Sequence, residues 1–384
     1  GGAPVAEVLF QHFIRSGAKT LRCGYTTGTC AALAAAAATR LLLTGHAPAT
    51  ETLLTPAGLE VTAPVQALPD GKGFALCQVE KYAGDDTDAT NGLPIQARVA
   101  RTEGNAVTLD GGEGVGRVTL PGLEQPVGAA AINQVPRRMI AESVRAAAKE
   151  AGYTGGLAVT ICVPGGAEAA AHTFNPRLGI EGGISILGTS GIVEPQSLAA
   201  LVDTIEVECR QKAAAGANTL VLTPGHYGED FLAAHPVPWP VVTCSNFIGD
   251  ALDICASLGF ERVLLVGHVG KLCKLAAGVM NTHSRTADAR AEVFVTHAAL
   301  AGAPLPLLQA LMEAPTTDGC LDLLDQAGLT APVLHGMLAR MGFYLTRRAA
   351  GKFTVGAAMF SQSRGLLGCT PGLQENFKEW NPDE

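Results

Sequence analysis

Arg262-Val263-Leu264-Leu265-Val266-Gly267-His268-Val269-Gly270-Lys271 is a short apolar strand running into a glycine-rich turn, and three earlier segments repeat the form. Residues 184–187 run into Gly188-Thr189-Ser190-Gly191. Residues 219–222 run into Thr223-Pro224-Gly225-His226-Tyr227-Gly228, and residues 241–243 into Cys244-Ser245-Asn246. Helical stretches lie between them: 197–215, 247–258 stopped by Gly259, and one from the 267–271 turn to about residue 280. Strands alternating with helices at a spacing of roughly 20–25 residues predict a parallel, doubly wound sheet. Such sheets bind ligands beyond the carboxyl ends of their strands. The expected site therefore lies at 188–191, 225–228, 244–250 and 267–271. Glycine there lets backbone approach a ligand, and the helix N-termini that follow favour anionic groups.

Upstream the pattern differs. Thr26-Thr27-Gly28-Thr29 precedes an Ala/Leu run over 30–43 that stops at Gly45, a capped helix. Short β-like segments follow at 59–65, 74–79, 95–101 and 106–109, separated by Gly and Asp clusters. A helix over 136–152 opens with Pro136 and closes at Gly152, and 157–163 is a further strand. The sequence therefore predicts an α+β N-terminal domain over 3–180. A doubly wound, Rossmann-like α/β domain follows over 181–300. A C-terminal α/β segment, 301–384, could complete the N-terminal domain.

Composition narrows the function. Of 384 residues, 47% are hydrophobic and 16% charged, with a mean hydropathy of +0.24, which excludes disorder. A net charge of −8 argues against a nucleic-acid partner. The longest apolar run, 30–38, is short and alanine-rich against the about 20 residues a membrane span needs. No charged-then-apolar leader opens the chain, and Gly1-Gly2 reads as a cloning remnant. The ten cysteines are scattered without C-x-x-C spacing, as expected of reduced thiols in a cytoplasmic protein without a structural metal.

Single motifs stay ambiguous. Gly111-Gly112-Glu113-Gly114-Val115-Gly116 continues into β-like sequence, so it is either a turn or bulge, or a ligand-contacting loop, but not a dinucleotide fingerprint. Gly270-Lys271 follows a strand at too short a spacing for a P-loop, and Leu272 replaces the metal-binding hydroxyl. That loop can still cradle an anion. Asp85-Asp86-Thr87-Asp88 is either a solvated turn or a source of a proton-transfer group. His268 and His283 lack the spacing of a helical metal pair. Glu194 could receive a ribose or an ammonium, or simply open a helix. On residues alone the chain is a two-domain α/β enzyme with an anionic small-molecule site.

Taken together, the blocks resemble one family. Gly24-Tyr25-Thr26-Thr27-Gly28-Thr29-Cys30-Ala31-Ala32, Ala83-Gly84-Asp85-Asp86-Thr87-Asp88, Gly111 to Thr119 and Ala131 to Arg137 are similar to successive motifs of CbiD, the cobalt-precorrin-5B C1-methyltransferases of cobalamin biosynthesis. Asn175 to Pro195 is a long match, and Gly267 to Asp288 holds the last. Thr87 and Gln134 stand where the family favours proline.

The resemblance implies methyl transfer from S-adenosylmethionine to carbon 1 of a corrinoid tetrapyrrole. It implies a cofactor site built from Gly188, Thr189, Ser190, Gly191, Glu194, Asn246, Asp250, Gly267, His268 and Gly270. Substrate would meet Thr26, Thr27, Thr29, Arg137, Arg177, Lys271, Lys274, His283 and Arg285, the basic members answering its carboxylates. Asp85, Asp86 and His268 are the candidates for moving a proton. No metal, nucleic acid or membrane partner is implied, and a homo-oligomer or transient contact with neighbouring pathway enzymes is allowed. The competing readings are a non-catalytic tetrapyrrole carrier and a nucleotide-dependent oxidoreductase.

Overall fold

The computed structural model describes residues 4–69 and 71–384. The chain divides into two compact units, one ending at Ser197 and the other spanning Leu198–Glu384.

The first unit is built from β1 (Gly24–Tyr25), α1 (Thr27–Thr44), β2 (Gln66–Leu68), β3 (Phe74–Glu80), β4 (Pro94–Thr102), β5 (Val107–Gly111), β6 (Gly114–Val115), α2 (Gln134–Glu150), β7 (Gly156–Cys162), α3 (Asn175–Leu178), β8 (Gly183–Ile184) and β9 (Ile192–Val193). Its main sheet has the order β2-β3-β4-β7-β5, antiparallel except for the β7–β5 pair. Burial along β3 and β4 has period two, as a sheet with one covered face requires. Ala75, Cys77, Val79, Ile95, Ala97 and Val99 point inward, and α1 packs on both strands and on α2.

Thr26 caps α1 by accepting the Thr29 N–H at 3.2 Å, and Gly45 ends it in the left-handed region at φ 80°. By length and hydropathy α1 could cross a bilayer, but 72% of that window is buried inside the unit. A helix apolar all round suits the middle of a core equally well.

The 111–116 glycines serve backbone crossing. Gly114 takes φ +75°, and a Cβ there would lie 1.7 Å from the Val163 carbonyl oxygen. β6 can then pair in parallel with β8.

The second unit contains α4 (Leu198–Ala214), β10 (Thr219–Thr223), α5 (His226–Ala234), β11 (Val241–Thr243), α6 (Ile248–Ser257), β12 (Arg262–His268), α7 (Val269–Leu272), α8 (Arg290–Leu300), α9 (Leu305–Glu313), α10 (Thr317–Ala327), α11 (Thr330–Ala349), β13 (Thr354–Ser361) and β14 (Gly365–Cys369). Its sheet runs β11-β10-β12-β13-β14, parallel throughout except for β14. Both faces are covered. Leu220, Leu222, Val263 and Leu265 join one core with Ile248, Phe294 and Met341. Val221, Leu264 and Val266 join another with Phe231, Phe377 and Trp380. Continuous apolar strands are what such burial demands.

Four expectations are corrected. Residues 184–187 do not enter this sheet: β8 pairs with β6, and Ile186 bridges to Ile132 in the first unit. The segment is cut into short glycine-flanked pieces whose partners lie upstream, so it supplies no long central strand. The fourth parallel strand is β13, whose residues Gly356–Ser361 are all buried. Residues 301–384 thus complete the second unit rather than the first, and the division falls after Ser197 rather than after residue 180. Finally, the helix expected to reach residue 280 is α7 followed by a 3-10 turn, Cys273–Ala277, ended by Gly278 at φ 75°.

Candidate functional site

In the first unit the start of α1 is laced to the 185–191 loop. Leu187 N–H donates to Thr27 Oγ1 at 3.0 Å, Gly28 N–H to the Leu187 carbonyl at 3.1 Å, and Thr29 Oγ1 to the Gly191 carbonyl at 2.8 Å. Gly188 has φ +119°, and a Cβ there would sit 2.4 Å from Thr26 Cγ2. Thr26, Thr27, Thr29, Gly188 and Gly191 are therefore brought together, with their polar groups largely engaged in holding the loop. Ser190 Oγ donates to the Ile192 carbonyl, while Thr189 and Glu194 are exposed.

Beside this junction is a cavity of about 190 Å³. Thr26, Thr27, Lys81, Asp88, Thr90, Asn175 and Ser185 supply its polar lining, and Ile184, Leu187 and Val193 its apolar lining. Lys81 Nζ donates to Asp88 Oδ2 at 3.0 Å, and the Lys81 side chain is only 2% exposed. Asp88 Oδ1 accepts from Thr90 N–H at 2.8 Å and from Thr90 Oγ1 at 2.7 Å. Burial pushes the Asp88 carboxyl up, but Lys81 and the Thr90 donors outweigh it and hold the group below the usual aspartate value. Asn175 Nδ2 donates to the Gly183 carbonyl, and Ser185 Oγ to Asn175 Oδ1.

The two carboxylates singled out in the acidic motif lie elsewhere. Asp85 Oδ2 accepts the Arg22 N–H at 2.7 Å and Asp86 Oδ1 the Gln196 N–H at 3.2 Å. Both fasten backbone, and neither lines the cavity. Arg137 donates to the Ile132 and Ala130 carbonyls at 2.6 and 3.1 Å, a structural clasp, whereas Arg177 is exposed.

In the second unit the strand order reverses between β10 and β12. Lys271 Nζ, after β12, donates to the Pro224 carbonyl, after β10, at 3.0 Å. Burial lowers the Lys271 pKa. His268 ends β12; its Nδ1 accepts the Gly270 N–H at 3.0 Å, and its ring lies 5.5 Å from that of Tyr227 and 5.8 Å from that of Phe360. Burial lowers the His268 pKa and Asp318 pulls it part of the way back. Among the described residues Asp318 Oδ1 is buried with no hydrogen-bond partner. Gly270 has no room to spare: a Cβ there would lie 3.2 Å from His268 Nδ1.

The remaining expected residues are distributed around this end of the sheet. Asn246 Oδ1 accepts from Thr282 Oγ1 at 2.8 Å. Lys274, buried, donates to the Thr282 carbonyl at 2.9 Å. Gly267 packs against Leu272 and Pro224, and Asp250 is exposed. His283 and Arg285 are exposed and joined to each other, with His283 Nδ1 accepting the Arg285 N–H. The expected cofactor set is thus divided, with 188–194 in the first unit and Asn246, Asp250, Gly267, His268 and Gly270 in the second. Lys81 and Asp318 were missed, and Asp88, inside the acidic motif, was passed over for Asp85 and Asp86. Lys81 carried a signal, since it continues the inward phase of Ala75, Cys77 and Val79.

Fold and sites together define a mixed α/β enzyme-like protein, with a polar cavity in one unit and a cluster of polar and glycine residues at the strand ends of the other. Residues 14–195 match the CbiD family and residues 281–371 the CbiD C-terminal domain. The chain belongs to the CbiD family. It is similar to proteins named cobalt-precorrin-5B C(1)-methyltransferase. That of Ruminiclostridium cellulolyticum is 44% identical over 355 residues, 91% of this chain and 92% of the relative. That of Listeria welshimeri is 40% identical over 381 residues, 96% and 100% of the two. The crystal structure of a cobalamin biosynthesis protein (cbiD) from Archaeoglobus fulgidus is 30% identical, covering 72% of this chain and 87% of that one, with a TM-score of 0.40.

Proposed function

We propose that this chain transfers the methyl group of S-adenosylmethionine to carbon 1 of cobalt-precorrin-5B, giving cobalt-precorrin-6A in cobalamin biosynthesis. The activity follows the names of its curated relatives. The observation that carries the donor site is the reversal of strand order between β10 and β12, bridged by Lys271. We read this sheet as doubly wound and Rossmann-like, and such sheets open their ligand crevice at the reversal.

The groups there fit the donor. Asp318 Oδ1, a buried acceptor without a partner, would receive its hydroxyl or ammonium groups. Lys271 would meet its carboxylate. When bound, S-adenosylmethionine supplies an electrophilic methyl group. The protein's work is to align that methyl with carbon 1 and keep water out. His268 is held neutral near pH 7 by its burial. Because its Nδ1 accepts from Gly270, its Nε2–H is left to donate, so His268 orients an acceptor rather than taking a proton. The nucleophile is a macrocycle carbon, and no cysteine is needed. Burial pushes the Cys244 and Cys273 thiols up to about 12, which makes them poor nucleophiles. Arg177 and Arg285 are exposed, and substrate carboxylates would meet them at the surface. Ten free cysteines suit a cytoplasmic enzyme.

Isothermal titration with S-adenosylhomocysteine, with NAD as control, tests the reading. Saturable binding of the former alone is expected. Binding of NAD alone, or no S-adenosylhomocysteine binding with the corrinoid present, overturns it.

A further inference from the structure

We propose that the first unit's cavity is a carboxylate pocket that takes one acidic arm of the tetrapyrrole, with Lys81 as its anchor. This rests on the methyltransferase reading above and gives the substrate a definite subsite.

The lysine is built into the wall. It follows β3 on the strand's inward face, and its side chain is 2% exposed. An ammonium has three donors. Among the described residues Asp88 is the one hydrogen-bond acceptor of Lys81 Nζ, so two donors remain. Asp88 is closer to satisfied: one oxygen meets Lys81 and the other accepts twice from Thr90, which fills three of its about four lone-pair sites. The pair therefore has more spare donors than spare acceptors, two against one. A buried ion pair adds little stability over an apolar pair of the same volume. An acceptor entering the cavity supplies what Lys81 lacks.

A second feature favours a negative group. Thr26 and Thr27, at the N-terminus of the 18-residue α1, line the same cavity. The helix end carries a partial positive charge. Ile184, Leu187 and Val193 form an apolar wall suited to a methylene stem. At about 190 Å³ the cavity falls below the roughly 300–1,000 Å³ of pockets that enclose a whole ligand, so it takes part of one. On a chain of net charge −8, a polycarboxylate substrate needs such local cations.

The test is the double variant Lys81→Met/Asp88→Asn, which removes both charges together and leaves neither buried alone. Methyl transfer to cobalt-precorrin-5B is measured with wild type, the double variant and Lys81→Arg. The double variant is expected to raise KM about 10–100-fold, with S-adenosylhomocysteine affinity unchanged, and Lys81→Arg to recover part of the loss. A folded double variant with wild-type KM overturns the pocket. If the wild type transfers no methyl, the functional reading falls by itself. In that case, or if the double variant does not fold, a crystal of the wild type soaked in propionate decides the pocket. Density within hydrogen-bond distance of Lys81 Nζ supports it, and an empty cavity overturns it.

Discussion

Lys271 and Pro224 are joined by a 3.0 Å hydrogen bond from Nζ to the carbonyl oxygen, which fastens the turn after β12 to the turn after β10. The bond crosses the point where the strand order reverses, so it fixes the two turns against each other there. Lys271→Met leaves a half-buried carbonyl without its donor. The expected cost is about 1–2 kcal/mol, or about 2–8 °C in thermal unfolding. S-adenosylhomocysteine binding, followed by titration, should weaken in parallel. Undiminished binding would remove Lys271 from the donor site.

Asp318 behaves in the opposite way. Its Oδ1 atom is buried and makes no hydrogen bond, so a neutral side chain there relieves the fold. Asp318→Asn should unfold at a temperature no lower than wild type while losing about tenfold in S-adenosylhomocysteine affinity. A variant less stable but equal in affinity would make Asp318 a structural residue.

Acid should weaken the second unit partly through His268, whose folded pKa burial holds below its ordinary value, against a partial rise from Asp318. Below about pH 6.5 the unfolded chain takes up a proton at this residue. The folded chain does so only when pH falls through its lower pKa. Stability therefore rises with pH between those two values and is flat in this group above them. Urea unfolding at pH 7 and at about pH 5.5 should show a larger loss for wild type than for His268→Asn. His297, also lowered by burial and by Arg340, keeps its own share in both proteins. Equal losses would show that His268 titrates normally.

Two glycines with the same backbone angle should differ sharply. Gly104 (φ +81°) has nothing within 4 Å of an added Cβ, whereas at Gly114 (φ +75°) that atom would lie 1.7 Å from the Val163 oxygen. Gly104→Ala should cost about 1–2 kcal/mol, the left-handed penalty alone. Gly114→Ala should cost more than about 4 kcal/mol or leave the protein insoluble. Chemical denaturation of the two variants side by side checks this.

Local signals were read well from the sequence. The Thr26 cap and Gly45 stop bracket Thr27–Thr44, and the helix expected over 136–152 is Gln134–Glu150. The strands at Phe74–Glu80 and Pro94–Thr102 follow their alternation within a residue. Pairing across distance was not legible. Nothing near residues 184–187 says that their partner is Gly114–Val115, and nothing near Thr354 says that it lies beside Arg262. Site residues divided in the same way. The blocks carrying the family resemblance contain Thr26, Thr27, Asn175, His268 and Lys271. Asp318 becomes conspicuous only once burial leaves its Oδ1 without a partner among the described residues, while Lys81 continues the inward phase of β3 in the sequence and stands out as a buried charge in the structure.

The place of β13 in the sheet also governs the order of assembly. β12 has its whole apolar length ready, yet one of its two edges finds its partner only when Thr354–Ser361 arrives. At about 5–20 residues per second, the roughly ninety intervening residues take about 5–20 s to synthesise. During that interval β10, β11 and β12 are already made, while the edge of β12 that pairs with β13 has no partner strand. The strands of the first unit all precede Leu198, so they are made before that interval begins. The helices α8 to α11 are made in that same interval, before β13 closes the edge.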